Sequence, residues 1–218
     1  MDGAIIMTLE TDSNLVSYIA SKKIPVVLLD WGIVDYYISN IKEDYEKGIE
    51  EAITYLIEMG HKNLAFISGP LDFKTLNNRK EALISVVKKF SGKINKPSIV
   101  EGDLKITGGE EATDKILAFP DIPTAIISVN DLMAMGVIRR IIDEGLKVPE
   151  DISVIGFNDI MLSSFFEPPL STIGIPRYMI GQTAWKMLYK LMNSKDKMGT
   201  EQIIDTYFVA RETTGKVK

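Results

Sequence analysis

Short apolar runs alternate with amphipathic stretches along nearly the whole chain. The runs at 3–8 (GAIIMT), 24–29 (IPVVLL), 63–68 (NLAFIS), 124–129 (TAIISV) and 152–157 (ISVIGF) have the length and branched composition of strands covered on both faces. A shorter one lies at 99–101. Between them, residues 14–21, 44–59, 78–90, 109–119 and 131–144 place apolar side chains at helical spacing. In the first, Leu15, Tyr18 and Ile19 share a side. In the second, Ile49, Ala52, Ile53, Leu56 and Ile57 fall at i, i+3, i+4, i+7 and i+8, with Asp44 placed to cap the start and Gly60 to end it. Asp131 is the expected cap of the helix at 131–144.

After residue 157 the rhythm breaks. Residues 158–170 read as irregular, 171–175 as a strand and 177–192 as a helix with Ile180, Ala184, Met187, Leu188 and Leu191 aligned. A polar linker at 193–200 precedes a last alternating strand at 202–209. Strands separated by helices of this length imply βαβ units and parallel sheet, so the fold class is α/β.

Composition narrows the chemistry more than it changes the fold. In 218 residues, 45% are apolar and 25% charged, as in ordinary globular proteins. There is no cysteine and one histidine, His61. Thiol catalysis, cysteine-ligated zinc and a Ser-His-Asp triad therefore have almost no material. The net charge of −5 argues against a surface dominated by phosphate binding. No apolar run reaches membrane-spanning length. Nucleotide-loop, zincin and nucleophile-elbow motifs are absent. The expectation is a protein that is not an enzyme, with no catalytic residues, no metal and no cofactor. Thr107-Gly108-Gly109 reads as a helix-opening turn, Glu50-Glu51 and Glu110-Glu111 as solvated helix faces, and His61 as a cap on helix carbonyls.

What remains is positional. Ligands of open parallel sheets bind outside the carboxyl ends of the strands. The residues that follow the runs are polar at five places: Asp30-Trp31, the loop 70–75, Asp103-Leu104, Asn130-Asp131 and Asn158-Asp159. Amides and carboxylates satisfy vicinal hydroxyls, and aromatic faces such as Trp31 and Phe73 pack on C–H surfaces, as polyol recognition requires.

At these residues the chain resembles the lactose/galactose-repressor family of bacterial transcription regulators. The carrying segments are IPVVLLDWG (24–32), EDYEKGIEEAITYLIEMGHKNLAFISGPL (43–71), PTAIISVNDLMAMGVIRRIIDEGLKVPEDISVIGFND (123–159) and PPLSTIGIP (168–176). The resemblance implies a periplasmic-binding-protein-like core of two doubly wound parallel-sheet subdomains. Residues 1–42 plus 172–194 would form the N-terminal subdomain, incomplete for want of its first strands. Residues 43–171 plus 200–218 would form the C-terminal one. It further implies a small effector bound between the lobes, contacted by Arg79 as a clamp, by Asn130 and Asn158, by Phe73 and Thr75, and by Asp30 with Trp31. Leu104 occupies the place of a stacking aromatic, and Phe73 that of a polar contact in the purine-responsive type. The Phe73 position is the reason a sugar is expected over a purine.

The same resemblance implies a cytoplasmic homodimer acting as a transcriptional repressor. DNA binding would require a helix-turn-helix domain outside these residues. The chain reads as a truncated core whose exposed sheet edge another chain covers. A periplasmic sugar receptor of a transporter shares the architecture and is the alternative; an enzyme on the same layout is a third.

Overall fold

The computed structural model describes residues 2–8 and 13–218. In chain order the elements are β1 (Ala4–Ile6), α1 (Ser13–Ser21), β2 (Val26–Leu29), β3 (Ile38–Asp44), α2 (Tyr45–Glu58), β4 (Leu64–Ser68), α3 (Lys74–Lys89), β5 (Ser98–Glu101) and α4 (Ile106–Leu117). There follow β6 (Ala125–Ser128), α5 (Asp131–Asp143), β7 (Ser153–Asn158), α6 (Met161–Phe165), β8 (Ser171–Gly174), α7 (Arg177–Asn193), β9 (Glu201–Asp205) and β10 (Tyr207–Val209). The chain separates into two compact units. One comprises Met1–Asp44, Phe73–Thr75 and Pro176–Asp205; the other comprises Tyr45–Asp72, Leu76–Ile175 and Thr206–Lys218. These boundaries lie a few residues C-terminal of those the family resemblance implies. The reason is that β8 is hydrogen-bonded into one sheet and β9 into the other. Residues 1 and 9–12 of the expected 1–42 segment lie outside the described residues.

The first unit is built on a parallel sheet of order β1-β2-β3-β9. Helix α7 packs across β1, β2 and β3 with the five residues expected from its spacing, Ile180, Ala184, Met187, Leu188 and Leu191, all buried. Val16, Val26, Leu28, Trp31 and Ile38 form a core, with Ile19 packed against it. The inward face of α1 is therefore Val16 and Ile19. Leu15 and Tyr18, expected inside with Ile19, are exposed. Strand β3 has no counterpart in the sequence reading because three of its buried residues are polar or charged, Ser39, Asn40 and Glu43. Asn40 is satisfied throughout: its Oδ1 accepts from the N–H groups of Trp31 (3.2 Å) and Gly32 (3.1 Å), and its Nδ2 donates to Glu201 (2.7 Å). A buried amide bonded this way costs little and fixes the chain's exit from β2.

The second unit carries a six-stranded sheet of order β10-β8-β7-β6-β4-β5, parallel except for β10 at the edge. The single strand expected at 202–209 is divided. Residues 201–205 belong to the first sheet, residues 207–209 to the second, and Thr206 between them is buried and accepts a hydrogen bond from the N–H of Gly48 (3.0 Å). A Cβ at Gly48 would lie 2.6 Å from the Thr206 hydroxyl and 2.7 Å from Ile173, so only glycine fits there. Helices α4 and α5 touch backbone to backbone through Gly109 against Met133 and Gly136 against Ile106. The glycine pair near the start of α4 is thus a packing device. The cap of α5 is Asn130, whose side chain accepts from Met133 N–H, with Asp131 one position inside the helix.

The C-terminal tail closes this unit. Thr213 exchanges bonds with the Val154 backbone and accepts from Ser171 N–H (2.8 Å), while Gly215 N–H donates to Ser153 (3.1 Å). His61 joins this strap instead of capping α2. Its Nε2 lies 3.0 Å from the Gly215 carbonyl and its Nδ1 2.9 Å from the Thr124 hydroxyl.

Candidate functional site

In the second unit the chain runs from β4 outward to β5, then returns past β4 to β6, β7 and β8. The strand order reverses between β4 and β6, and a crevice for ligands opens at such a reversal. Arg79, on α3, reaches this point. Its Nη1 donates to the carbonyl of Val129, just past β6 (3.0 Å), and its guanidinium lies over the Phe157 ring (4.4 Å) and the Tyr45 ring (5.0 Å). Those two rings meet edge to face at 5.9 Å. Next to Val129, Asn130 donates from Nδ2 to the Leu104 carbonyl (2.8 Å). The structure therefore brings together Arg79, Asn130 and Leu104, with Phe157 as an aromatic support the sequence reading took only as core. Ser68 and Ser128, the last residues of β4 and β6, are buried with hydroxyls that have no hydrogen-bond partner among the described residues.

The backbone at these ends is unusual. Six described non-glycine residues have positive φ, and four of them stand at strand carboxyl ends: Asp30 (60°), Leu104 (71°), Asn158 (103°) and Asp159 (50°). A left-handed leucine costs on the order of 1 kcal/mol, and such strain concentrates where ligands are held. Leu104 also fills the space beside Gly69, where a Cβ would come within 2.7 Å of it.

In the first unit, Asp30 and Trp31 follow β2 and are both buried. The Trp31 indole is only 1% exposed and sits in the core, its Nε1 without a hydrogen-bond partner among the described residues. Phe73 is half-buried and Thr75 buried. The Thr75 hydroxyl likewise has no partner among the described residues. Between them Lys74 donates to the Trp31 carbonyl (2.8 Å), tying the start of α3 to the turn after β2.

Comparison with known proteins gives the family. The model of the periplasmic binding protein-like domain matches residues 53–214. A probable repressor ExuR of Bacillus subtilis is 34% identical over 99% of the chain and 65% of its own length. A repressor PurR of Histophilus somni is 36% identical over 95% of the chain and 62% of its own length. Among solved structures, a LacI family regulator of Enterococcus faecalis with bound ribose superposes with a TM-score of 0.88 at 27% identity, over 100% of this chain and 79% of that one. A dimeric Lac repressor gives 0.86 at 28%, over 100% and 79%. The chain is a periplasmic-binding-protein-like domain of the lactose-repressor family. It spans somewhat less than two thirds of the length of these two curated relatives.

Further polar residues hold the strand ends of this periplasmic-binding-protein-like domain. Asp131, 1% exposed, accepts from the Thr172 hydroxyl (2.5 Å) and from Ile160 N–H (2.8 Å), which fixes the loop after β7 against β8. Burial raises its carboxyl above the usual carboxylate range, and those hydrogen bonds offset only part of the rise. Arg211 pairs with Asp159 (2.7 Å) and donates to the Leu170 carbonyl (2.7 Å). Asn158 stands at the end of β7 beside this pair. Neither Arg211 nor Lys74 carries a signal in the sequence, since each contacts a residue more than 40 positions away. Among the described residues no group of three or more histidines, aspartates or glutamates is placed to hold a metal, and no helix is long and apolar enough to cross a membrane.

Proposed function

We propose that this domain binds a small polyhydroxy effector, a sugar, at the carboxyl ends of its strands, and that the ligand governs operator binding by the longer protein. The observation that carries the reading is the concentration of left-handed, polar-flanked backbone at strand ends, at Asp30, Leu104, Asn158 and Asp159. Chemistry supplies the class. Asn158 and Thr75 offer donors and acceptors, Asp30 offers acceptors, Asn130 offers the second N–H of the amide that bonds Leu104, Arg79 offers a fixed fork, and Phe73 an apolar face. Phe73, where the purine-responsive type has a polar contact, supports the sugar. The ribose bound by the Enterococcus faecalis relative points the same way, whereas the name PurR keeps purines in the panel.

In the full protein the regulator acts in the cytoplasm as a homodimer, like the dimeric Lac repressor, and reaches DNA through a helix-turn-helix domain outside these residues. The ligand controls it only by binding one arrangement of the domain better than another. The periplasmic receptor reading is disfavoured because the curated relatives are repressors.

The test is a thermal-shift panel of pentoses, hexoses, uronic acids, sugar phosphates, nucleosides and purine bases, followed by calorimetry. A ligand that binds only the folded state adds about 2.7 kcal/mol at a hundredfold excess over Kd. Stabilisation by one sugar class is expected. Stabilisation by purines alone overturns the sugar assignment, and silence from a cooperatively melting sample overturns effector binding by this domain.

A further inference from the structure

The loop that leaves β7 has an uncommon backbone. Asn158 and Asp159 follow one another with φ of 103° and 50°, and the segment from Phe157 to Ile160 contains no glycine. Asparagine and aspartate tolerate positive φ better than other side chains, but the region is sparsely populated even for them. Such backbone persists only where the surrounding fold holds it. Three holds reach this turn, all from within the second unit. Ile160 N–H donates to Asp131 Oδ2 (2.8 Å), Asp159 N–H to the Thr172 hydroxyl (3.3 Å), and Arg211 Nη2 to Asp159 Oδ1 (2.7 Å). Thr172 in turn donates to Asp131 Oδ1 (2.5 Å), so one carboxylate anchors both backbone bonds.

Asp131 is 1% exposed and Thr172 fully buried, an expensive place for a carboxylate. Helix capping does not account for it, because Asn130 caps α5 with its own side chain. The first turn of α5 offsets part of the cost, since the positive end of the helix dipole favours an anion. Strand β7 makes room: a Cβ at Gly156 would overlap the Asp131 carboxylate. What the buried carboxylate achieves is the fixed turn at 158–160.

We infer that Asp131 is a positioning residue for the effector, acting through Thr172 and the backbone of Asp159 and Ile160 to present Asn158 in the conformation the ligand meets. Its burial keeps it from touching a ligand itself. The inference rests on the effector reading, in which Asn158 is a contact, and adds residues that reading does not contain. Arg211 is the second hold, itself tied to the Leu170 carbonyl (2.7 Å) and, through its N–H, to the Ser171 hydroxyl (2.8 Å). A ligand that needs a conformation populated about a tenth of the time binds about tenfold more weakly. Loss of Asp131 therefore shows as lost affinity in a protein that is still folded.

The experiment has a ligand-free arm and a binding arm, run on the wild type, Asp131→Ala, Asp131→Asn and Thr172→Val. Amide hydrogen exchange followed by NMR reads the turn without ligand. Ile160 N–H in Asp131→Ala and Asp159 N–H in Thr172→Val should exchange at least about tenfold faster, with Ile126 and Ile127 of β6 unchanged. Calorimetry with ribose, glucose and glucuronate reads the site, and affinity for the sugar the wild type binds should fall at least about tenfold in both variants. Asp131→Asn keeps an acceptor for Ile160 and a donor for Thr172, so it should bring both readings back towards the wild type. A carboxylate with only a structural role would lower the Tm and leave the affinity alone. Should Asp131→Ala fail to fold, Thr172→Val, nearly the same in shape, decides. Unchanged exchange at 159 and 160, unchanged affinity with a loosened turn, or no rescue by asparagine each overturns the inference. A wild type that binds none of the three sugars overturns the effector reading and this inference with it, and the ligand-free arm tells that failure from a turn that Asp131 never held.

Discussion

Arg79→Ala tests whether the residue expected to clamp a ligand also holds the domain together without one. The substitution removes a charged hydrogen bond to the Val129 carbonyl and two ring contacts, to Phe157 and Tyr45. The hydrogen bond is worth about 1.5–3 kcal/mol. A partly desolvated cation–π contact is worth about 0.5–2 kcal/mol. The sum is reduced because alanine lets water reach Val129, which leaves on the order of 3 kcal/mol. At about 2–4 °C per kcal/mol for a chain of this size, the ligand-free Tm falls by about 6–12 °C. Urea unfolding measures the free energy, with a constant m showing that the unfolded state is unchanged. A cycle with Phe157→Leu isolates the stacking and should return a coupling of about 0.5–2 kcal/mol. An unaltered ligand-free stability, or additivity within about 0.3 kcal/mol, would refute the structural role and leave Arg79 as a ligand contact alone.

Gly136→Ala drives a Cβ into the backbone of Ile106 and forces α4 and α5 apart; overpacking of this kind costs about 1–3 kcal/mol, read as a lower urea midpoint, and a neutral result would mean the helices part freely. His61 titrates below its ordinary value of 6.5, because burial disfavours its charged form more than the Gly215 carbonyl favours it. Its stabilising contribution is therefore complete above pH 6.5 and declines as the pH falls through 6.5 towards the lower folded-state value. Urea midpoints at about pH 7.5 and 5.5 should differ more for the wild type than for His61→Gln, and equal differences would contradict the assignment.

The parts of the fold that were legible in the sequence are those where one periodicity acts alone. The inner face of α7 and the buried runs of β4, β6 and β7 are of this kind, since solvent exclusion leaves only apolar residues there. Strand β3 was missed because a buried asparagine reads as a loop until its partners, nine and 161 positions away, are known. The division of 202–209 was hidden for a similar reason. Alternation continues through Thr206, and only Gly48 reveals that the strand changes sheets there. At the site, Asn130 and Leu104 were visible as residues after strands. The stack of Arg79 on Phe157 and the bridge from Asp131 to Thr172 join segments far apart in the chain, and no local pattern announces them.

The pairing of β3 with β9 has a consequence for synthesis. Asn40 leaves the ribosome 161 residues ahead of Glu201, the partner of its amide. At about 5–20 residues per second that interval lasts on the order of 8–30 s. Throughout it, the flank of β3 that β9 will occupy is an open row of backbone donors and acceptors, ready to pair with any passing strand. The tail that seals β7 and β8 emerges later still. Neither unit can be finished by the part of the chain that begins it. Until β9 is made the nascent chain is open to mispairing along that flank, and its yield should fall with faster expression even when the finished fold is stable.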